Sequence, residues 1–187
     1  MKKTIWILIC LCSMLAAVNG YAGTGDWQKI ENALYSIEVP AGWAPQDGSP
    51  KMEPGRREAR GFELRYLSWR SPIHSAADLP DVVGMDIQSY RKLDGSPITI
   101  SELEKLTVFN YVSREVLASS EGSLLLSVQR DSREMDGHIE RYRHFYLMKQ
   151  AGRQIHQVSV SLTEKKYQAE PEIRELIRRM LDSFVVK

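Results

Sequence analysis

Past residue 12 this 187-residue chain has no cysteine. Cys10 and Cys12 both stand in an apolar opening run. The remainder can form no disulfide and offers a metal no thiolate, which excludes a stapled miniprotein and a cysteine-ligated zinc module. Charge of one sign is missing too: 25 Lys and Arg stand against 24 Asp and Glu, a formal net charge of +1. A near-neutral chain sets up no overall field to hold it on nucleic acid or an anionic membrane. Repeats and low-complexity tracts are absent. Beyond the opening run no stretch approaches the roughly 20 apolar residues of a membrane span. Catalytic signatures are lacking as well, with no G-x-S-x-G elbow, glycine-rich phosphate loop or metalloprotease helix.

What is present begins with an address. Lys2 and Lys3 precede an apolar run from Ile5 to about Val18, followed by small residues. Gly20 and Ala22 form a workable −3/−1 pair, with Val18 and Gly20 as the other choice. This is the three-part pattern of a secretory signal over residues 1–22, and its apolar run is short for an anchor helix. A lipoprotein signal needs a small residue before its cysteine, whereas Ile9 precedes Cys10 and Leu11 precedes Cys12. The expectation is export to the periplasm or the extracellular space, with no stable membrane span after cleavage. Residues 23–187 then form a single domain, large enough to bury about two-thirds of its unfolded surface without staples. Loss of Lys2 and Lys3 takes the net charge from +1 to −1.

"YSIEVPAGW" at 35–43 reads as a strand with Tyr35, Ile37 and Val39 on one face, stopped by a Pro-Ala-Gly corner before Trp43. Residues 46–60, "QDGSPKMEPGRREAR", read as an exposed loop. "GFELRYLSW" alternates again: Phe62, Leu64 and Tyr66 share one face, and Glu63, Arg65, Leu67 and Trp69 the other. Leu67 and Trp69 do not suit a wetted face, so both faces of the sheet are expected to be covered. Leu79, Val82, Val83, Ile87, Tyr90 and Leu93 fall on a helical stripe that Asp94-Gly95 would stop, with Asp86 on that stripe unplaced. Residues 98–106 suit a strand or a short helical turn, the latter with Ser101 and Glu104 as a capping box.

From Val108 to Leu162 four strand-like runs are separated by "ASSEGS", "DSREMDG" and "QAGR", none long enough for a crossover helix. Neighbouring runs must therefore pair antiparallel, as a meander. With "QAGR" as the tight turn, Leu147 falls opposite His156 and Phe145 opposite Val158. In "PEIRELIRRMLDSF" the residues Ile173, Leu176, Ile177, Met180, Leu181 and Phe184 repeat at threes and fours, a closing amphipathic helix that must lie on a sheet.

An exported chain opening on Pro40, Gly42 and Trp43 after a strand, and closing on Ser183-Phe184 after a helix, resembles the PsbP-like superfamily. That superfamily includes the photosystem extrinsic protein, DcrB-like proteins and the Mog-type Ran-binding protein. The resemblance implies an α+β fold, an α-β-α sandwich with a central antiparallel sheet flanked by helices on both faces. It also implies that Trp43 folds back as a lid over one end of the core. Members do different jobs, mostly binding or accessory ones, and no segment here matches the photosystem-binding or Ran-binding surfaces.

His74, His138, His144 and His156 have no partners at metal-ligand spacing, and the expected pairing puts His144 and His156 on opposite sheet faces. No catalytic residue, cofactor or metal site is expected. Two basic groups remain. Arg56, Arg57 and Arg60 lie in the expected loop and are the candidate partner contact. Arg141 and Arg143 share a strand face, with Tyr142 and Tyr146 on the other, where arginines are commonly paired and solvated. The leading expectation is an exported, non-enzymatic accessory domain of the cell envelope, binding an unknown protein or small ligand and no nucleic acid. Two others stand beside it: a binder of lipid or another apolar ligand between helix and sheet, using residues such as Trp69 and Met148, and an enzyme whose site is assembled from distant residues. A filled interior with an exposed aromatic patch favours the first; a large apolar pocket favours the others.

Overall fold

The computed structural model describes residues 26–45, 55–59, 61–73, 82–134 and 136–187; the expected signal lies outside them. Two antiparallel sheets are built from these residues. The smaller joins β1 (Trp27–Glu31), β2 (Tyr35–Pro40) and β11 (Val185–Val186), in the order β1-β2-β11. The larger contains β3 (Ala44–Pro45), β4 (Gly55–Ala59), β5 (Phe62–Arg70), β6 (Gly84–Lys92), β7 (Ser113–Ser120), β8 (Ser123–Arg133), β9 (Ile139–Ala151) and β10 (Gln154–Thr163). Its order is β3-β5-β6-β10-β9-β8-β7, with β4 beside β5. The helices are α1 (Ile100–Thr107), α2 (Glu164–Ala169) and α3 (Pro171–Asp182).

The meander forms as its short separators require: β7 to β10 pair in sequence, each antiparallel to the next. The register of its last hairpin differs from expectation by two residues. Leu147 faces Val158 and Phe145 faces Val160, because the turn is Gly152-Arg153 between paired Ala151 and Gln154. Gly152, at φ +58°, takes the left-handed first position that a two-residue hairpin favours in glycine. A shift of two keeps every side chain on its expected face. His144 and His156 accordingly lie on opposite faces, paired with Ser161 and Lys149.

Alternate residues of the same strands feed two apolar clusters. One gathers Phe145, Leu147, Val158, Val160 and Leu162 with Leu67, Trp69, Met85 and Ile87. Against these lie Ile173, Ile177, Met180, Leu181 and Phe184 from α3 and its end, and Ile30, Tyr35, Ile37, Val39 and Trp43 from the small sheet and its corner. The other cluster joins Leu124, Leu126, Val128, Tyr146, Met148 and Ile155 to Ile98, Leu103 and Val108 around α1. Pro171 opens α3, where a missing N–H costs nothing. The apolar stripe read at threes and fours is its buried face, with Leu176 at the margin.

Five expectations are corrected. Residues 84–92 are a strand, not part of a helix: Val83, Met85, Ile87 and Ser89 are buried at a spacing of two, and β6 is held between β5 and β10. Asp86, unplaced on a helix, accepts a hydrogen bond from Ser68 Oγ, its cross-strand partner. Residues 55–59, expected in a loop, pair with β5. "YSIEVP" is preceded by an unforeseen strand, β1, and both belong to the small sheet rather than the central one, so the layer over that face is a sheet as well as helix. Finally, α1 is capped by Thr99 with Glu102, not by Ser101 with Glu104. The two-sided burial inferred from Trp69 is present, but with the faces exchanged. Leu67 and Trp69 lie in the first cluster, whereas Tyr66 on the opposite face is 42% exposed.

Candidate functional site

The large sheet ends at β7, and this end is bare. All eight β7 residues are exposed, and β7 pairs only with β8 among the described residues. Just before it, α1 gives way to a short segment in which Asn110 takes a left-handed φ of +53°, reversing the chain into the strand. Phe109, Tyr111, Val112, Val116 and Leu117 are each 44–54% exposed, an unusual concentration of large apolar side chains within nine residues. Leu117 sits in a β-bulge: Val116 pairs with Leu126 and Ala118 with Leu125, which leaves Leu117 without a partner on β8.

This segment is held in place. Arg130 donates to the Thr107 carbonyl at 2.8 Å and lies over the Phe109 ring at 5.1 Å and the Tyr146 ring at 5.7 Å. The Val112 N–H donates to the Gln129 carbonyl at 2.8 Å, and Ser113 Oγ to the Gln129 side chain at 2.8 Å. Arg114 Nε donates to Glu104 at 2.7 Å, tying β7 to α1. An exposed apolar strand edge anchored at its start needs less ordering to bind, which favours affinity from a modest surface.

A second polar centre lies at the far end of β5 and β6. Glu63 is only 4% exposed, and three arginines reach its carboxylate: Arg91 at 2.7 Å, Arg65 at 3.1 Å and Arg56 at 3.0 Å. Burial pushes the Glu63 carboxyl up, but the Arg91 and Arg65 hydrogen bonds and the Arg56 charge outweigh it and hold the group below the usual carboxylate range. A pocket of about 120 Å³ opens there, lined by Leu34, Glu63, Arg65, Ser89, Arg91 and Gln154.

The expected partner arginines divide. Arg56 joins the Glu63 centre and also pairs with Glu58 at 3.0 Å. Arg57 is the next β4 position, opposite Leu64, and Arg60 lies outside the described residues. Arg141 forms a two-pronged pair with Asp131, and Arg143 one with Glu164 while lying over the Tyr167 ring. Both are thus committed within the fold. Trp69 and Met148, considered for an apolar ligand, are buried in separate clusters. Trp43 is 4% exposed and packs in the first cluster, with its backbone N–H donating to the Pro40 carbonyl.

Ser89 Oγ and His156 Nδ1 share a hydrogen bond of 2.8 Å, the contact a serine nucleophile needs. Here the two residues are 4% and 2% exposed, and the imidazole packs in a T-shaped contact with the Tyr35 ring, with no carboxylate hydrogen-bonded to it among the described residues. Burial lowers the His156 pKa, keeping the ring neutral. His138, exposed, bonds to Asp136, and His74 lies outside the described residues. Among the described residues no group of three His, Cys, Asp or Glu is placed to hold a metal, and no helix is long and apolar enough to cross a membrane.

The bare edge is hidden in sequence because "VFNYVSREVLASS" reads as one strand-like run of the meander among four. The signal available was its lapse from alternation, Val116 beside Leu117. The Glu63 centre is hidden because the helical stripe from Leu79 to Leu93 spans Ser89 and Arg91.

No protein-family model matches the chain, and no curated protein matches it in sequence. Solved structures do. Protein Mog1 superposes in two structures at 12% identity: a point variant with a TM-score of 0.50 over 86% of this chain, and the Saccharomyces cerevisiae Ran-binding protein Mog1p with 0.49 over 87%, each over 96% of the other chain. The cyanobacterial PsbP (CyanoP) of Synechocystis gives 0.48 at 12% identity, over 90% of this chain and 96% of that one. A Bacteroides thetaiotaomicron protein gives 0.48 at 11% identity over 87% of this chain, which spans only 48% of its length. The fold is Mog1-like, and the Mog1 variant carries that statement. At such identity fold is all that is shared.

Proposed function

We propose that this PsbP/Mog1-like chain is an exported, non-catalytic binding domain of the cell envelope that takes an extended segment of a partner protein along β7. The observation that carries the reading is the edge itself, eight exposed residues with one free side among the described residues, bordered by five large apolar side chains. An added strand would gain main-chain hydrogen bonds from β7 and apolar contacts from Tyr111, Val112, Val116 and Leu117. The bulge at Leu117 deters indiscriminate pairing with another flat edge, which favours a partner shaped to it. Export is supported by the signal pattern of residues 1–22. The reading includes an α-β-α layering, with α1 on one face of the large sheet and α2 and α3 on the other. The apolar-ligand alternative finds less support: the pocket at Glu63 is polar and, at about 120 Å³, well below the roughly 300 Å³ at which ligand pockets begin.

The test is capture of partners from native envelope extract by the wild-type protein and by Val116→Lys, each checked by urea unfolding. The expected result is a defined protein retained by the wild type and lost with Val116→Lys at an unchanged unfolding midpoint. The recovered protein should begin near Tyr21 or Gly23 by mass. Retention equal for both, or no retained protein, overturns the docking assignment.

A further inference from the structure

A row of polar residues crosses the large sheet where its apolar face runs out. Arg56 pairs with Arg65, Arg65 with Ser89, Ser89 with His156, and His156 with Lys149, one residue from each of five neighbouring strands. The adjacent row brings Glu58 beside Glu63 and Glu63 beside Arg91. The pleat sends both rows to the face that bears Leu67, Trp69, Met85 and Ile87 farther along the same strands. A buried carboxylate needs compensation, and one or two partners would supply it. Glu63 has three. With Glu58 counted, three guanidinium groups meet two carboxylates, leaving one positive charge in excess. Among the described residues Arg65 and Arg91 each spend a single N–H on Glu63, out of the five a guanidinium carries. Both are about half exposed, at 46% and 51%, and both line the pocket.

We propose that this pocket is a binding site for a small monocarboxylate, held by the unspent donors of Arg65 and Arg91. Ser89, Gln154 and the apolar Leu34 complete its lining. The excess of one positive charge selects a monoanion over a dianion, since a dianion would leave the pocket negative beside Glu63. A guanidinium fork matches a planar carboxylate in two parallel hydrogen bonds. At about 120 Å³ the pocket has room for several waters, and so for a carboxylate with a short alkyl tail against Leu34. The site is independent of the β7 edge and stands or falls apart from it.

Amide chemical shifts of the purified protein, titrated with acetate, butyrate, inorganic phosphate and chloride, test the assignment. Saturable shifts at Ser89, Arg91 and Gln154 with the carboxylates, tighter for butyrate and weak for phosphate and chloride, are expected. Arg91→Gln should weaken butyrate about tenfold or more, as loss of a charged hydrogen bond does. Glu63→Gln, which raises the excess charge, should tighten it. Arg91→Lys guards against misfolding: it keeps the charge but loses the fork, and should bind between wild type and Arg91→Gln. No saturable shift with carboxylates, a preference for phosphate, or binding indifferent to both Arg91 variants overturns the proposal.

Discussion

Strands β10 and β7 belong to one sheet yet live in different surroundings. β10, "QIHQVSVSLT", is paired on both sides, and none of its ten residues is exposed. β7, "SREVLASS", is paired on one side, and every residue is exposed. Their apolar content is similar: Ile155, Val158, Val160 and Leu162 against Val116, Leu117 and Ala118 in a shorter run. The difference lies in what covers them. β10 gives Val158, Val160 and Leu162 to the cluster that holds α3 and the small sheet and Ile155 to the cluster around α1, whereas β7 gives no residue to either cluster and is tied to α1 by Arg114 and Glu104. Apolar side chains at one end of the sheet make the core; at the other end they remain available to something else.

The contrast can be sharpened by removing the cover. Phe184, fully buried against the Tyr35 ring at 5.8 Å between centroids, closes the β10 end, and Phe184→Ala should destabilise by about 3–5 kcal/mol. Val116→Lys or Leu117→Lys at the bare end should change stability by under about 0.5 kcal/mol. Urea unfolding compares them directly. Equal losses would break the distinction between the two ends.

Acid should reveal the same asymmetry through two histidines. Burial, with help from the Arg130 guanidinium, lowers His144 from 6.5 to about 4, and burial lowers His156. Both rings stay neutral in the folded protein while the unfolded chain takes up protons, so stability should fall as pH drops from about 6.5 toward about 4. Urea midpoints measured across that window should decline, and His144→Gln should flatten the decline. Glu63 contributes in the same sense but at lower pH: the stability its lowered pKa adds is fully present above the ordinary 4.5 and is lost as pH falls from there through the folded value. A profile already flat in the wild type would show that the sheet interior is wetter than its burial implies.

An intermediate effect concerns the helix that separates the two ends. Thr99 Oγ accepts from the Glu102 N–H at 3.2 Å while the Glu102 carboxylate accepts from the Thr99 N–H at 2.8 Å. Thr99→Ala should cost about 1 kcal/mol. A loss comparable to that of Phe184→Ala would mean that α1, not α3, anchors the sheet.

Local patterns told most of the meander and the closing helix. Short polar separators permitted only antiparallel neighbours, and a stripe at threes and fours has one buried solution. What stayed hidden depended on distant partners. Val83, Met85 and Ile87 satisfy a spacing of two, but Val82, Val83, Ile87 and Tyr90 also satisfy a helical spacing, and only β5 and β10 on either side decide between them. β1 was missed because "WQKIE" buries only Ile30 fully, and its pairing with β2 gives it its role. Of the functional candidates, the alternation of "FELRYLSW" did place Glu63 and Arg65 with Trp69. Their pocket needed Ser89 and Arg91, contributed by a strand whose position no local pattern records. Exposure of β7 is likewise a property of where α1 ends in space.

The last strand has a consequence in time rather than in space. Val185 and Val186 pair with Ser36 and Tyr35, and the Lys187 N–H donates to the Leu34 carbonyl. The small sheet is therefore closed by a contact spanning most of the chain, whose loop entropy must be met before any of its hydrogen bonds forms. During synthesis β1 and β2 can fold into a hairpin early, but the third strand of their sheet does not exist until residue 186 has been made. Until then Tyr35, Ile37 and Val39 lack the cover of Phe184. The chain thus completes an early-made hairpin with a strand made about 145 residues later, and a product ending before Val185 leaves β2 as an open edge.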